Sequence, residues 1–164
     1  MSIFSPNLAV KSVLELSRER LTELGLDALL LDVDCTLKEY RSEDVLPEVR
    51  DWIDELRAAG VGLCLVSNGL GKRIGRLAEK LDLPYIAAAC KPLPFGLRSA
   101  VRKMDFDRTR TAMVGDQLFA DILAAHLAGI FSILVEPISP EQEPWFTRAK
   151  RPLERGLAGG RGET

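Results

Sequence analysis

The stretch that decides the fold is "LLLDVDCTL", residues 29–37. An apolar run ends abruptly in two carboxylates two positions apart. A strand buried on both faces reads as a continuous apolar run, with no polar alternation. Asp32 and Asp34 then fall just past its carboxyl end, and their spacing puts them on the same side. Two carboxylates at the mouth of a buried strand are costly unless something compensates them. The stretch therefore predicts both a parallel sheet and a site at its edge.

Working outward, the same signal repeats. Ala28–Val33, Val61–Val66, Tyr85–Ala88, Thr111–Val114 and Phe131–Val135 are short apolar segments bounded by turn residues. Helical patterns separate them. Pro47–Ala59 has Pro in its first turn, inward Val49, Trp52, Ile53 and Leu56, and Gly60 as terminator. Leu70–Leu81, Leu93–Met104 and Leu118–Leu127 carry helical periodicity, and a shorter helix precedes Gly25. Strands alternating with helices predict an α/β fold: a single-domain, Rossmann-like three-layer sandwich around a parallel sheet of about five strands. The domain is expected over residues 1–153, with the Gly-rich 154–164 as a flexible tail. The N-terminal segment 1–16 carries Ile3, Phe4, Leu8 and Val10. It reads as packing on the domain, with a peripheral membrane foot as the alternative.

Bulk composition narrows the function. At 164 residues, net charge −2 and pI about 5.5, the chain has no basic field for nucleic acid. Cys35, Cys64 and Cys90 form no CxxC pair, which argues against disulfides and zinc and suits a reducing cytoplasm. No apolar run reaches the roughly 20 residues a membrane-spanning helix needs. The single histidine, His126, sits far past a strand end, so a Ser–His–Asp hydrolase is disfavoured.

In doubly wound sheets ligands bind beyond the carboxyl ends of the strands. Those positions hold Asp32, Asp34 and Thr36; then Ser67, Asn68 and Gly69; then Lys91; then Asp116 and Asp121. Carboxylates collected at one edge repel unless a hard cation joins them, and oxygen ligands that leave room for a phosphate suit Mg²⁺. A lysine and a serine hydroxyl suit phosphate oxygens, and backbone N–H groups near Asn68 can add donors. One carboxylate can attack phosphorus and a second can move the protons.

In their order and spacing, "DVDCTL", "SNG", "KP" and "GDQLFAD" resemble the four motifs of the haloacid dehalogenase-like phosphatases, over roughly residues 25–136. The resemblance implies Asp32 as nucleophile, forming an aspartyl phosphate, and Asp34 as general acid/base. It implies Thr36, Ser67, Asn68 and Lys91 around the phosphoryl group. Metal ligands would be Asp32, Asp116, Asp121 (directly or through water) and Asp34 through its backbone carbonyl. Because dehalogenases of the superfamily lack the second Asp, phosphoryl transfer is expected.

Neither Thr36–Ser67 nor Ser67–Lys91 has room for the cap domain that roofs many relatives, so the site should be open. "LLLDVDCTL", "VSNG", "ACKPL" and "VGDQLFADILAAHLAG" resemble the capless YqeG-type branch, related to phosphatidylglycerophosphate phosphatases. This implies a lipid phosphate substrate, giving phosphatidylglycerol, and peripheral contact at the inner face of a membrane. Arg148, Lys150, Arg151 and Arg155 offer charge for anionic lipid. Soluble nucleotide or sugar phosphates are the alternative substrates, and a degenerate binding module is the alternative class. One departure stands out: the usual Asn between the second Asp and the Thr is here Cys35. Cys90 is expected as a buried, inert thiol.

Overall fold

The computed structural model describes residues 2–142; Trp145, the basic residues of 148–155 and the 154–164 segment lie outside the described residues. Six parallel strands form one sheet in the order β1-β6-β5-β2-β3-β4. They are β1 (Leu8–Val10), β2 (Ala28–Leu31), β3 (Gly62–Val66), β4 (Tyr85–Ile86), β5 (Thr111–Gly115) and β6 (Phe131–Val135). The helices are α1 (Arg18–Glu23), α2 (Pro47–Ala58), α3 (Gly71–Leu81), α4 (Phe95–Lys103) and α5 (Leu123–Ala128).

The central strands β2 and β3 are apolar throughout because both faces are covered. Leu29 and Leu31 of β2 point with Leu63, Leu65 and Val114 into a core built against Leu21, Trp52, Ile53, Leu56, Ile74 and Leu77. Leu30 points the other way, with Cys64, Val66 and Met113, onto Leu97 and Ala100 of α4 and Ala124, Ala125 and Ala128 of α5. The small residues of α5 let that helix approach the sheet closely. Truncating Leu30, which is fully buried, to Ala costs about 2–5 kcal/mol on general grounds.

The sheet has one strand more than the five expected. The extra strand is β1, from the N-terminal segment, pairing with β6 at one edge. Its three residues are too short and too exposed to signal a strand in sequence. Asn7 extends the ladder with its side chain: Oδ1 accepts from Ser132 N at 2.9 Å, while Asn7 N donates to Ser132 O at 3.0 Å. Phe4 packs edge-to-face on Phe119, ring centroids 5.2 Å apart, and Trp52 donates its indole N–H to Leu16 O at 2.9 Å. No helix among the described residues is long and apolar enough to cross a membrane.

β2 lies at the centre, flanked by β3 and β5. The chain runs outward from β2 through β3 to β4, then returns to the other side of β2 for β5 and β6. Such a reversal opens a crevice beyond the carboxyl ends of the central strands. Between Thr36 and Ser67 the chain forms a loop, α2 and β3, and between Ser67 and Lys91 it forms α3 and β4. Neither interval carries a cap.

Candidate active site

Asp32 leaves β2 with its backbone N–H bonded to Val114 O at 2.9 Å, so the strand ladder itself fixes the carboxylate's origin. Lys91 reaches it from the loop after β4, Nζ to Oδ1 at 2.7 Å. The same ammonium meets Asp121 Oδ1 at 2.5 Å. Thr36 donates its hydroxyl toward Asp116 Oδ1 at 3.1 Å and Asp32 Oδ2 at 3.3 Å. Asp32, Asp116 and Asp121 each present an oxygen within 4.8 Å of the others, and all three residues are buried.

Asp121 owes its position to an irregular turn. Leu118–Ile122 is π-helical, with Ile122 N bonded to Gln117 O. The wider turn, of a kind frequent at functional sites, carries Asp121 inward, where Oδ2 accepts from Gln117 N at 3.1 Å. Gly115 makes the room, because a Cβ there would collide with the Asp121 carboxyl.

Three carboxylates thus cluster around one ammonium that pairs with two of them, Asp32 and Asp121. Burial and the neighbouring Asp32 charge push Asp121 up to about 6, against the pull of Lys91. Burial alone would lower Lys91, but Asp121 and Asp32 together hold it above its ordinary range. The excess negative charge is what a hard divalent cation would neutralise, and an all-oxygen donor set suits one.

Asp34 is kept apart from this cluster. Arg73 grips it with both guanidinium nitrogens, at 2.9 and 2.8 Å, and Lys38 Nζ donates to Oδ1 at 2.8 Å. Burial pushes Asp34 up, but Arg73 and Lys38 outweigh it, and the carboxyl sits below its usual range. Neither Lys38 nor Arg73 was expected at the site. A signal existed for Arg73: Lys72 and Arg73 lie in the first turn of α3, with no acidic residue there, where the helix dipole disfavours cations. Cations so placed imply a nearby anion.

Of the residues expected around a phosphate, Ser67, Asn68 and Lys91 line a cavity of about 120 Å³ with Asp32, Asp34, Cys35, Tyr40 and Asp121. Thr36 does not line it; its hydroxyl straps two carboxylates together from behind. The Asn68 side chain clips the Lys91 loop, accepting from Lys91 N at 2.8 Å and donating to Lys91 O at 3.0 Å. Its backbone N–H is the group left for a ligand. Ser67 Oγ accepts from Gly69 N at 3.0 Å, which leaves the hydroxyl proton to donate.

Cys35 sits in the left-handed region, φ 63°, where Asn is favoured among residues with a side chain. Its N–H bonds Lys38 O and its carbonyl accepts from Ile138 N, both at 2.8 Å, which holds the turn. Cys90 is exposed, contrary to expectation, because the chain turns there to deliver Lys91 inward. His126 is exposed on α5, outside the cavity.

The family model described as haloacid dehalogenase-like hydrolase matches residues 8–129. A probable phosphatase, YqeG of Bacillus subtilis, is 31% identical over 154 residues, covering 94% of this chain and 89% of that one. A phosphatidylglycerophosphate phosphatase 1 (chloroplastic/mitochondrial) of Arabidopsis thaliana is 27% identical, covering 93% of this chain but 46% of its own. The chain thus spans about half the length of that plant relative. Among solved structures, NagD of E. coli K-12 superposes with a TM-score of 0.56 at 15% identity, covering 70% of this chain and 89% of that one, a likeness of fold. With the carboxylate cluster at the sheet's switch point and the family match spanning most of its length, the chain belongs to the haloacid dehalogenase-like hydrolases, among their phosphatases.

Proposed function

We propose that the protein is a Mg²⁺-dependent phosphomonoesterase that works through an aspartyl phosphate at Asp32, with phosphatidylglycerophosphate as its substrate. The enclosed space, about 120 Å³, suits a phosphoryl group and little more, so the rest of the substrate lies outside. The single observation that favours a lipid is the rim. Leu70, Leu93 and Phe95 are 78%, 50% and 65% exposed, where the chain passes from β3 into α3 and from β4 into α4, close in sequence to the cavity-lining Gly69 and Lys91. Large apolar side chains exposed near a cleft suit an amphiphilic surface. The plant relative's name points to the same substrate.

Asp32 attacks phosphorus through a carboxylate oxygen, and the P–O bond to the alcohol breaks. Asp34, protonated in the substrate complex, where the anionic phosphate beside it opposes Arg73 and Lys38, gives the leaving alkoxide its proton. Asp34 then takes a proton from water, whose oxygen attacks the phosphorus of the acyl phosphate, releasing inorganic phosphate and restoring Asp32. Lys91 holds Asp32 in place and offers positive charge to the phosphoryl oxygens, joined by the Ser67 hydroxyl and the Asn68 backbone N–H. Asp32, Asp116 and Asp121, with the Asp34 backbone carbonyl, would hold the cation. When bound, that cation supplies the charge neutralisation that lets an anionic nucleophile meet an anionic phosphate.

The test is a panel of phosphatidylglycerophosphate in mixed micelles beside nucleotide and sugar phosphates, with and without chelator. Preferential turnover of the lipid, abolished by chelation and by Asp32→Asn, is expected. Preference for the soluble compounds would overturn the lipid reading, and an active Asp32→Asn the mechanism.

A further inference from the structure

Arg73 belongs to two places at once. Besides gripping Asp34, it lines a separate groove of about 490 Å³ between the 38–43 loop and the outer face of α3. Tyr40 lines both this groove and the phosphoryl-sized cavity, so the two are contiguous. The groove is cationic: Lys38, Arg41, Arg73, Arg76 and Lys80 line it, against Glu43 alone among acids. Three of these cations have carboxylate partners. Lys38 and Arg73 share Asp34, and Lys80 pairs with Asp44 at 3.0 Å. Arg41 and Arg76 have none among the described residues; Arg76 Nε meets only the Lys72 carbonyl, at 3.3 Å.

Two exposed guanidinium groups over a groove that already holds three more cations raise one another's electrostatic energy. So does the placement of Lys72, Arg73 and Arg76 in the first two turns of α3, a helix whose N-terminus has no side-chain cap. An anion in the groove would relieve both. Guanidinium forks favour phosphate oxygens in particular, which they bind two at a time.

We infer that this groove is a second-anion subsite: it binds a phosphodiester of the substrate while the phosphomonoester lies at Asp32. The inference rests on the phosphatase reading of the neighbouring site and narrows its substrate class to compounds with two phosphates. Arg41 and Arg76 are the specificity-determining residues. Arg73, at the junction, sets where the substrate passes from one pocket to the other.

The experiment compares wild type with the double variant Arg41→Gln/Arg76→Gln on three substrates. p-Nitrophenyl phosphate carries only the monoester. Deacylated phosphatidylglycerophosphate carries both phosphates in water-soluble form. The intact lipid is presented in neutral mixed micelles and in anionic vesicles. The double variant should raise KM about tenfold for the deacylated compound and for the lipid in neutral micelles, with kcat within twofold and p-nitrophenyl phosphate kinetics unchanged. An equal loss on p-nitrophenyl phosphate would make the arginines structural and overturn the inference, as would unchanged kinetics throughout. A loss confined to anionic vesicles would mean the groove reads surface charge, which also overturns it. Titration with glycerophosphoglycerol, followed by amide shifts of Arg41 and Arg76, tests the groove without turnover. Binding by the wild type but not the variant supports the subsite even if no monoester is hydrolysed, and no shift at either amide overturns it. Failure of the wild type on all substrates counts against the phosphatase reading alone.

Discussion

Arg73 and Asp34 form a two-pronged pair between the first turn of α3 and the end of β2, Nη1 to Oδ1 at 2.9 Å and Nη2 to Oδ2 at 2.8 Å. Gly69 permits it, since a Cβ there would collide with the arginine. The pair fixes the rotamer of the carboxylate assigned to proton transfer. It also sets that group's charge state.

The first prediction follows from that charge. Burial favours the neutral form of Asp34, whereas Arg73 and then Lys38 favour the anion and prevail. Removing Arg73 lets burial act more fully, so the Asp34 pKa rises. In Arg73→Gln the alkaline limb of the kcat/KM profile, where Asp34 loses the proton it must give the leaving alkoxide, should therefore move to higher pH. The depressed pKa also means that the pair stabilises the fold above the ordinary carboxylate range and that this is lost as pH falls through the folded pKa. Wild type should lose more stability between pH 5 and pH 3 than the variant, read by denaturant midpoints, on the order of the usual acid window.

Gly115 is predicted to be intolerant for a reason of space. A methyl at 115 must displace the Asp121 carboxyl from Lys91 and from Gln117 N. Gly115→Ala should raise the Mg²⁺ concentration for half-maximal turnover by about 10–100-fold, the usual penalty for disturbing groups that orient a metal site. An unchanged metal titration would show that Asp121 is not needed there.

The Asn68 side chain acts on the backbone of Lys91, not on the substrate. Asn68→Ala removes two hydrogen bonds that close the loop, each worth about 0.5–1.5 kcal/mol net. Both stability and kcat should fall, whereas Asn68→Asp should keep the bond from Lys91 N and retain more of each. Thermal melts with steady-state kinetics on the same samples check this.

Cys35→Asn should be tolerated or mildly favourable. The left-handed backbone at 35 strains a cysteine more than an asparagine, a difference within about 1 kcal/mol, or roughly 2–4 °C in Tm for a domain of this size. The opposing term is burial of the amide, because residue 35 is 3% exposed. A rate within twofold of wild type is expected, and a large loss would give the thiol a role of its own.

The thiols themselves should separate by accessibility. Burial pushes the Cys64 thiol up to about 11, so it stays neutral at pH 8, and Cys35 is buried too. A maleimide at pH 8 should modify Cys90 alone in the native protein, read by mass spectrometry, with the other two reacting only after unfolding.

How far the sequence could be read depended on range. β2, β3, β5 and β6 were legible because burial leaves their runs almost wholly apolar, with Thr111 and Ser132 the polar residues in them. β1 was not, since it is a short edge strand whose pairing is completed by the Asn7 side chain. Asp32, Asp116 and Lys91 were legible because each follows a strand end. Asp121 was legible as part of the fourth motif, but the π-helical turn that swings it inward has no simple sequence mark. Lys38 and Arg73 act through Asp34 across space, and no local pattern states such a pairing. Cys90 was expected to be buried, but its backbone takes the left-handed region, φ 58°, and leaves the thiol exposed.

The central position of β2 carries a consequence for how the protein comes to life. Its carboxylate is useful only once β3, β4 and β5 have docked in register beside it, and these arrive from distant parts of the chain. Non-local strand pairings of this kind form late and slowly. Helical signal should therefore return early on refolding while turnover lags, so that enzymatic activity becomes a clock for the last step of sheet assembly.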